Sequence, residues 1–99
     1  MKDWDYDEID YLRLMKAYLQ DRIDVGTYRR QLFSMSAKRS LLSEAASEII
    51  EKTYSKTDQY DAALRLPDTI GEPELRDFVA DSVRQLETLG YQLGDQEQT

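Results

Sequence analysis

The 99-residue sequence contains no cysteine and no histidine, and it has only four glycines and two prolines. The absence of cysteine excludes a disulfide framework and thiol chemistry, which fits a reducing compartment. The commonest catalytic bases, nucleophiles and zinc ligands are therefore missing, so we expect no enzyme, no metal and no other cofactor. Scarce glycine and proline disfavour a β-sandwich or barrel, because those folds need many turns.

Long apolar runs are also missing. No segment approaches the roughly 18 apolar residues of a membrane span, and the N-terminal sequence MKDWDYDEIDY is acidic where a signal peptide would be basic. We therefore expect a cytoplasmic protein that does not bind membranes. The length and the 40% hydrophobic content suit one domain with a single thin core.

Apolar residues recur at helical spacing in four segments, which favours an all-α fold. A first helix is predicted over residues 5–21, and Asp24 is a good N-cap for a second over residues 25–36. The aromatic rings of Tyr18 and Tyr28 are expected to pack on these helices with their hydroxyls at the surface. These helices are expected to be joined by a short turn.

Two further helices are predicted in the second half of the chain. Adjacent apolar pairs every four residues over 41–54 indicate a third helix with Ser40 as its cap. Residues 55–71 read as a loop with a possible helical turn over 60–64. Pro73 fits the first position of a fourth helix, and Gly90 is a natural stop. Four amphipathic helices with short links predict an antiparallel four-helix bundle.

The net charge is −7, and it is unevenly distributed. Residues 1–10 carry five acids and one base, and residues 58–81 carry seven acids and two bases, whereas residues 11–57 carry nine bases and five acids. Nucleic acid is an unfavourable ligand for such a chain, because phosphate binding needs clustered lysine and arginine. A basic protein is the partner that this charge favours.

The second acidic region supplies the candidate site. Glu74, Asp77 and Asp81 lie on one side of the fourth helix, and alone they would read as an ordinary solvated face. The preceding loop adds carboxylates without balancing lysines, which favours a partner-facing surface. Aromatic residues beside it could be interface anchors or simple core caps. The predicted partner-binding residues are Tyr54, Asp58, Tyr60, Asp61, Asp68, Glu72, Glu74, Asp77 and Asp81.

The chain resembles the colicin D-type immunity family, the bacterial self-protective colicin-like immunity proteins, over roughly residues 9–89. The resemblance is carried by a pattern of spacing, charge and apolar positions and by no invariant motif. The matching positions are Ile49, Ile50, Tyr54, Asp58, Tyr60, Asp61, the run IGEPELR from Ile70 to Arg76, the spaced apolar residues to Leu86, and the earlier turn IDVGTY from Ile23 to Tyr28.

The resemblance implies a small acidic antiparallel four-helix bundle that inhibits a toxin. Its partner would be the cognate basic C-terminal nuclease domain of a colicin or of a contact-dependent growth inhibition toxin, commonly one that cleaves tRNA. Acidic side chains would stand where RNA phosphates otherwise lie. Residues 1–8, an acidic extension, and 91–99, expected to be a frayed tail, fall outside the resemblance, and a monomer is favoured.

Two other classes stay open on the sequence. A helical adaptor or regulatory subunit could dock on a basic protein without inhibiting an enzyme, and it would need the same acidic surface. A carboxylate-bridged metal enzyme would use pairs one helical turn apart, such as Glu44 with Glu48 or Asp77 with Asp81. Because bundles with two metal ions usually add histidine ligands, a solvated helix face is the favoured interpretation of these pairs.

Overall fold

A computed structural model describes residues 5–61, 67 and 69–93 of the chain. This part is mostly helical and contains four helices, which confirms the predicted number. The helices are α1 (Glu8–Leu19), α2 (Val25–Ser36), α3 (Glu44–Asp58) and α4 (Glu72–Thr88). Two short strands, β1 (Tyr6–Asp7) and β2 (Ser40–Leu41), pair in parallel and were not predicted.

The first two helices begin at aspartate caps. Asp7 accepts hydrogen bonds from the backbone N–H groups of Ile9 and Asp10, while the Asp10 carboxylate accepts one from the backbone N–H of Asp7. This capping box fixes the start of α1 three residues later than predicted. Asp24 caps α2 by accepting from the Thr27 N–H at 2.8 Å, which confirms the predicted cap.

The third helix begins later than its apolar pattern indicated. Ser43, not Ser40, is the N-cap, since its hydroxyl accepts from the Ala46 N–H at 3.2 Å. Ser40 instead lies in β2 opposite Tyr6, and Leu41 is 52% exposed. The prediction failed here because a pairing with a distant strand outweighed the local apolar repeat.

Helix α4 agrees closely with its sequence signals. It begins after Gly71 with Pro73 in its first turn, and the chain turns away at Gly90, whose φ is +105°. The preceding loop is shorter than predicted, because α3 continues to Asp58. Backbone hydrogen bonds join Gln59 and Asp61 to Ile70 at 3.0 Å each. Most of the predicted turn over 60–64 lies outside the described residues.

Each helix packs against the next along the chain, and α4 also packs against α1. The core between them contains three fully buried tyrosines, Tyr11, Tyr18 and Tyr28. The rings of Tyr18 and Tyr28 stack with their centroids 4.6 Å apart, joining α1 to α2. Contrary to the prediction, their hydroxyls are not at the surface: one bonds Glu72 and the other bonds Thr57.

The residues on either side of the helices belong to the packed unit. The Tyr91 hydroxyl donates to Glu8 at 2.9 Å and lies 2.9 Å from the Ser43 hydroxyl, and Leu93 is only 9% exposed. Residues 91–93 therefore differ from the expected frayed tail. The expected acidic extension likewise contributes β1 and the cap of α1. Within the described residues, no helix is both long and apolar enough to cross a membrane.

Candidate functional site

The two adjacent helices α3 and α4 carry most of the negative charge of the bundle. Together they contain nine acidic and four basic residues, whereas α1 and α2 contain two acidic and four basic residues. Because α3 and α4 pack side by side, the excess carboxylates lie in one half of the molecule. This half is electrostatically suited to a cationic surface.

Glu72, one of the predicted contact residues, is engaged inside the chain. It accepts a 2.9 Å hydrogen bond from the hydroxyl of Tyr18, and the Arg76 guanidinium lies 4.0 Å away. Burial, followed by the hydrogen bond to Glu72, raises the pKa of the Tyr18 phenol, so the proton stays on the tyrosine. Glu72 thus joins α4 to α1.

The other predicted carboxylates of α4 are Glu74, Asp77 and Asp81, which are all exposed, and we call them the α4 surface. Glu74 lies 3.8 Å from the ammonium of Lys56, and Asp81 accepts from Arg84 at 3.3 Å and from Gln85 at 2.7 Å. Asp77 is exposed and makes no ion pair with the other described residues. The negative charge of this surface is therefore partly balanced at both ends.

Tyr54 and Asp58 lie on a different side of α3. The Tyr54 ring packs against Phe33 of α2 with a centroid distance of 4.9 Å, whereas Lys56 and Thr53 face α4, where Lys56 lies over the Phe78 ring. Glu51 and Asp58 stand one turn before and one turn after Tyr54, at spacings that place them beside its ring. We call Glu51, Tyr54 and Asp58 the Tyr54 surface.

Tyr60 and Asp61 lie where the chain leaves α3. The Arg29 guanidinium lies over the Phe33 ring at 5.4 Å and over the Tyr60 ring at 5.7 Å, so Tyr60 is half-buried against α2. The Arg29 Nε is buried and has no hydrogen-bond partner among the described residues. Tyr60 therefore packs at the base of the loop with part of its ring exposed. Asp68 lies outside the described residues.

An open groove of about 540 Å³ runs beside Tyr54, between α3 and the segment that links it to α2. We call it the Tyr54 groove. Its charged residues are Glu51 and Lys38, and the apolar part of its wall is formed by Tyr11, Leu42 and Ile50 as well as by Tyr54. Four serine residues, Ser36, Ser40, Ser47 and Ser55, complete the lining.

Sequence reasoning missed Glu51 and placed Tyr54 with the carboxylates of α4. The sequence did contain a signal for Glu51, because it lies three residues before Tyr54. Helix residues that are three or four positions apart lie side by side. Lys56 was assigned to the basic middle segment, although the structure places it beside Glu74. The direction in which each residue of α3 points depends on how three helices pack together. Counting charges along the chain gives no information about that packing.

No group of three or more acidic, histidine or cysteine side chains is arranged to hold a metal ion within the described residues. Comparison with known proteins identified no relative of this chain. No family model matches the chain, and neither a curated protein nor a solved structure does.

Proposed function

We propose that this chain is an immunity protein that binds and neutralises the basic nuclease domain of a bacterial toxin in the cytoplasm. The observation that carries the proposal is the concentration of nine carboxylates on the adjacent helices α3 and α4. A nuclease must present a cationic cleft to hold its phosphate backbone. A rigid acidic face competes for that cleft by charge and by bulk.

The second support is that several carboxylates in this half are not neutralised by the chain itself. Glu48, Glu51, Asp58 and Asp77 are exposed and make no ion pair with other described residues. Like charges left unbalanced in one half of the molecule lower stability through repulsion. Association with a basic partner removes that cost and speeds the encounter, which suits a protein that must capture a toxin before it cuts.

The proposal includes an antiparallel arrangement of the four helices. Contacts between neighbours support it, because partners of residues further along one helix lie earlier in the helix it meets. Tyr18 meets Tyr28, while Phe33 meets Tyr54, and Tyr28 meets Thr57. The pairs Thr53 with Ser82 and Lys56 with Glu74 continue the same order between α3 and α4. Such a bundle holds the acidic face rigid.

The test is co-expression with the toxin domain encoded directly upstream of the gene, scored by cell survival and by cleavage of tRNA. We expect the chain to restore survival and to bind the purified domain with an affinity that falls steeply as salt is raised. Absence of binding to that domain would overturn the proposal.

A non-inhibitory adaptor is the second candidate, and the Tyr54 groove favours it specifically, because a groove of this kind can hold a partner without blocking an active site. The same assay separates the two functions. Tight binding of a basic protein with undiminished tRNA cleavage would identify an adaptor, whereas binding with loss of cleavage identifies an inhibitor.

A further inference from the structure

We infer that the Tyr54 groove receives an arginine side chain of the basic protein partner. The inference rests on the proposed function only in taking the partner to be a basic protein, and it names the group that the chain recognises. It concerns the side of α3 that faces α2, away from the α4 surface.

The groove has the parts of a guanidinium site. Tyr54 is 37% exposed, and its ring is held by Phe33, so an aromatic face is presented in a fixed position. Glu51 and Asp58 stand one turn to either side of that ring, and both are exposed. Arginine stacks on aromatic faces and pairs with carboxylates through its planar fork, and this arrangement offers both contacts.

Cations of the chain lie over four other aromatic rings of the described residues. Arg76 lies over Tyr18 at 5.0 Å and Lys56 over Phe78 at 5.6 Å, while Arg29 lies over both Phe33 and Tyr60. No cation of the described residues lies over the Tyr54 ring. Tyr54 is therefore an aromatic ring flanked by carboxylates, and the exposed part of the ring is open to a cation from another molecule.

The charge around the groove favours this occupant. Of the two charged lining residues, Lys38 opposes a cation and Glu51 attracts one. Asp58 lies outside the lining, one turn after Tyr54, and adds a second carboxylate beside the ring. Lys56 does not contribute to this side, because its ammonium is directed to Glu74 and Phe78 of α4. The Arg29 guanidinium lies over Phe33 and Tyr60 and not over the Tyr54 ring. The charges of the lining balance, and the negative excess beside the Tyr54 ring comes from Asp58.

The groove is large enough for the proposed side chain. Its volume of about 540 Å³ exceeds that of one arginine side chain, and its apolar wall can cover the aliphatic stem. Aromatic and arginine anchors in pockets carry much of the binding energy of protein interfaces. One inserted arginine would therefore fix the register of the partner on α3.

The experiment titrates the whole chain with an acetylated Gly-Arg-Gly amide and follows the backbone amide chemical shifts of Glu51, Tyr54 and Asp58. The matched control peptide replaces arginine by citrulline, which has nearly the same shape and no charge. We expect saturable shifts with a Kd of about 1–10 mM for the arginine peptide and none for citrulline. Absence of saturation, or equal shifts with both peptides, would overturn the inference.

Variants locate the site. Tyr54→Ala and Glu51→Gln should each weaken binding of the arginine peptide by about threefold or more, as for a cation–π contact at an exposed site. Lys38→Ala should tighten it, and Asp77→Asn on α4 should leave it unchanged. An equal loss of affinity for the arginine peptide in Asp77→Asn would show general charge attraction and would contradict the groove assignment. Circular dichroism melts establish that each variant is folded.

The toxin assay separates failure of this inference from failure of the proposed function. If the upstream toxin domain binds the chain and neither Tyr54→Ala nor Glu51→Gln weakens that binding, the groove assignment is wrong and the proposed function stands. If the arginine peptide binds as expected and the toxin domain does not, the proposed function is wrong and the guanidinium site stands.

Discussion

The hydroxyl of Tyr18 donates a 2.9 Å hydrogen bond to the carboxylate of Glu72, joining the end of α1 to the first turn of α4. One turn along α4, Arg76 donates to the backbone carbonyl of Leu19 and to the Asp21 carboxylate. The guanidinium thereby caps the C-terminal end of α1, where carbonyls otherwise lack partners. Glu72 also lies at the positive end of the α4 dipole. This cluster fastens the α1–α2 turn to α4.

Tyr18→Phe should destabilise the protein, because it removes the donor to Glu72 while keeping the stacked ring. We expect a loss of about 1.5–3 kcal/mol in the free energy of unfolding, as for a hydrogen bond to a charged group. Urea denaturation measures it. The control is Tyr6→Phe, since the half-buried Tyr6 hydroxyl bonds no other described residue. Equal losses in both variants would mean that the Glu72 contact contributes nothing specific.

The stability of the fold should fall in alkali because of Tyr28. Burial raises the pKa of its phenol from 10.0 to about 12, although the hydrogen bond with Thr57 acts in the other direction. The folded state then holds the proton more tightly than the unfolded state. This contribution is complete below pH 10, and it is lost as the pH rises through about 12. The size is about 2–3 kcal/mol.

Tyr28→Phe tests this expectation. Urea midpoints measured from pH 8 to pH 12 should fall less steeply in the variant than in the parent chain. The raised pKa of Tyr18 adds a slope of the same sign, which the variant retains. Tyr54→Phe, at an exposed ring, is the matched control and should follow the parent curve. A parent curve that is flat above pH 10 would contradict the assignment.

The buried hydroxyls of Thr53 and Ser82 form a 2.7 Å hydrogen bond between α3 and α4. Each oxygen also lies within hydrogen-bond distance of the carbonyl four residues earlier, at 2.8 Å for Thr53 and 3.0 Å for Ser82. Because each hydroxyl has one proton, one of the two must donate across the interface and the other back to its own helix.

Thr53→Val and Ser82→Ala should therefore be coupled. Each single change leaves a buried hydroxyl without its partner across the helices, whereas the double change removes both. We expect the double variant to be less destabilised than the sum of the single variants by about 1 kcal/mol. A double-mutant cycle by urea denaturation measures the difference. Strict additivity would show that each hydroxyl is satisfied by its own helix alone.

Local signals in the sequence were sufficient for most helix ends. Asp24 and Gly90 act through their own side chain or φ angle and need no distant partner, so they were predictable from residue type. The start of α3 was not, because Ser40 pairs with Tyr6 from the other end of the sequence. A strand of two residues leaves no periodic pattern to detect.

The candidate site was predictable in composition and not in arrangement. Its acidic residues lie largely on α3 and α4, but Glu72 bonds Tyr18 of α1, and Tyr54 packs on α2 instead of joining Asp77. Helical spacing fixes which residues share a face of one helix. Spacing does not reveal which neighbouring helix covers that face. The covering helix determines whether a carboxylate is open to a partner or bonds a tyrosine of the same chain.

The division into two surfaces predicts which carboxylates steer the partner. Asp77→Asn with Asp81→Asn removes two charges from the α4 surface, and Glu51→Gln with Asp58→Asn removes two from the Tyr54 surface. Each pair should slow association with the upstream toxin domain by several-fold at low salt, and the two effects should vanish near 1 M salt, where the screening length is about 3 Å. Stopped-flow fluorescence measures the rates.

The matched control adds two positive charges in the other half of the bundle. Gln31→Lys with Ser34→Lys, both at exposed positions of α2, changes the net charge by the same amount. We expect a smaller effect on the association rate, because steering depends on where charge lies as well as on its sum. Equal slowing by the control would show that net charge alone drives the encounter. If only one of the two surfaces slows it, that surface is the one that meets the toxin first.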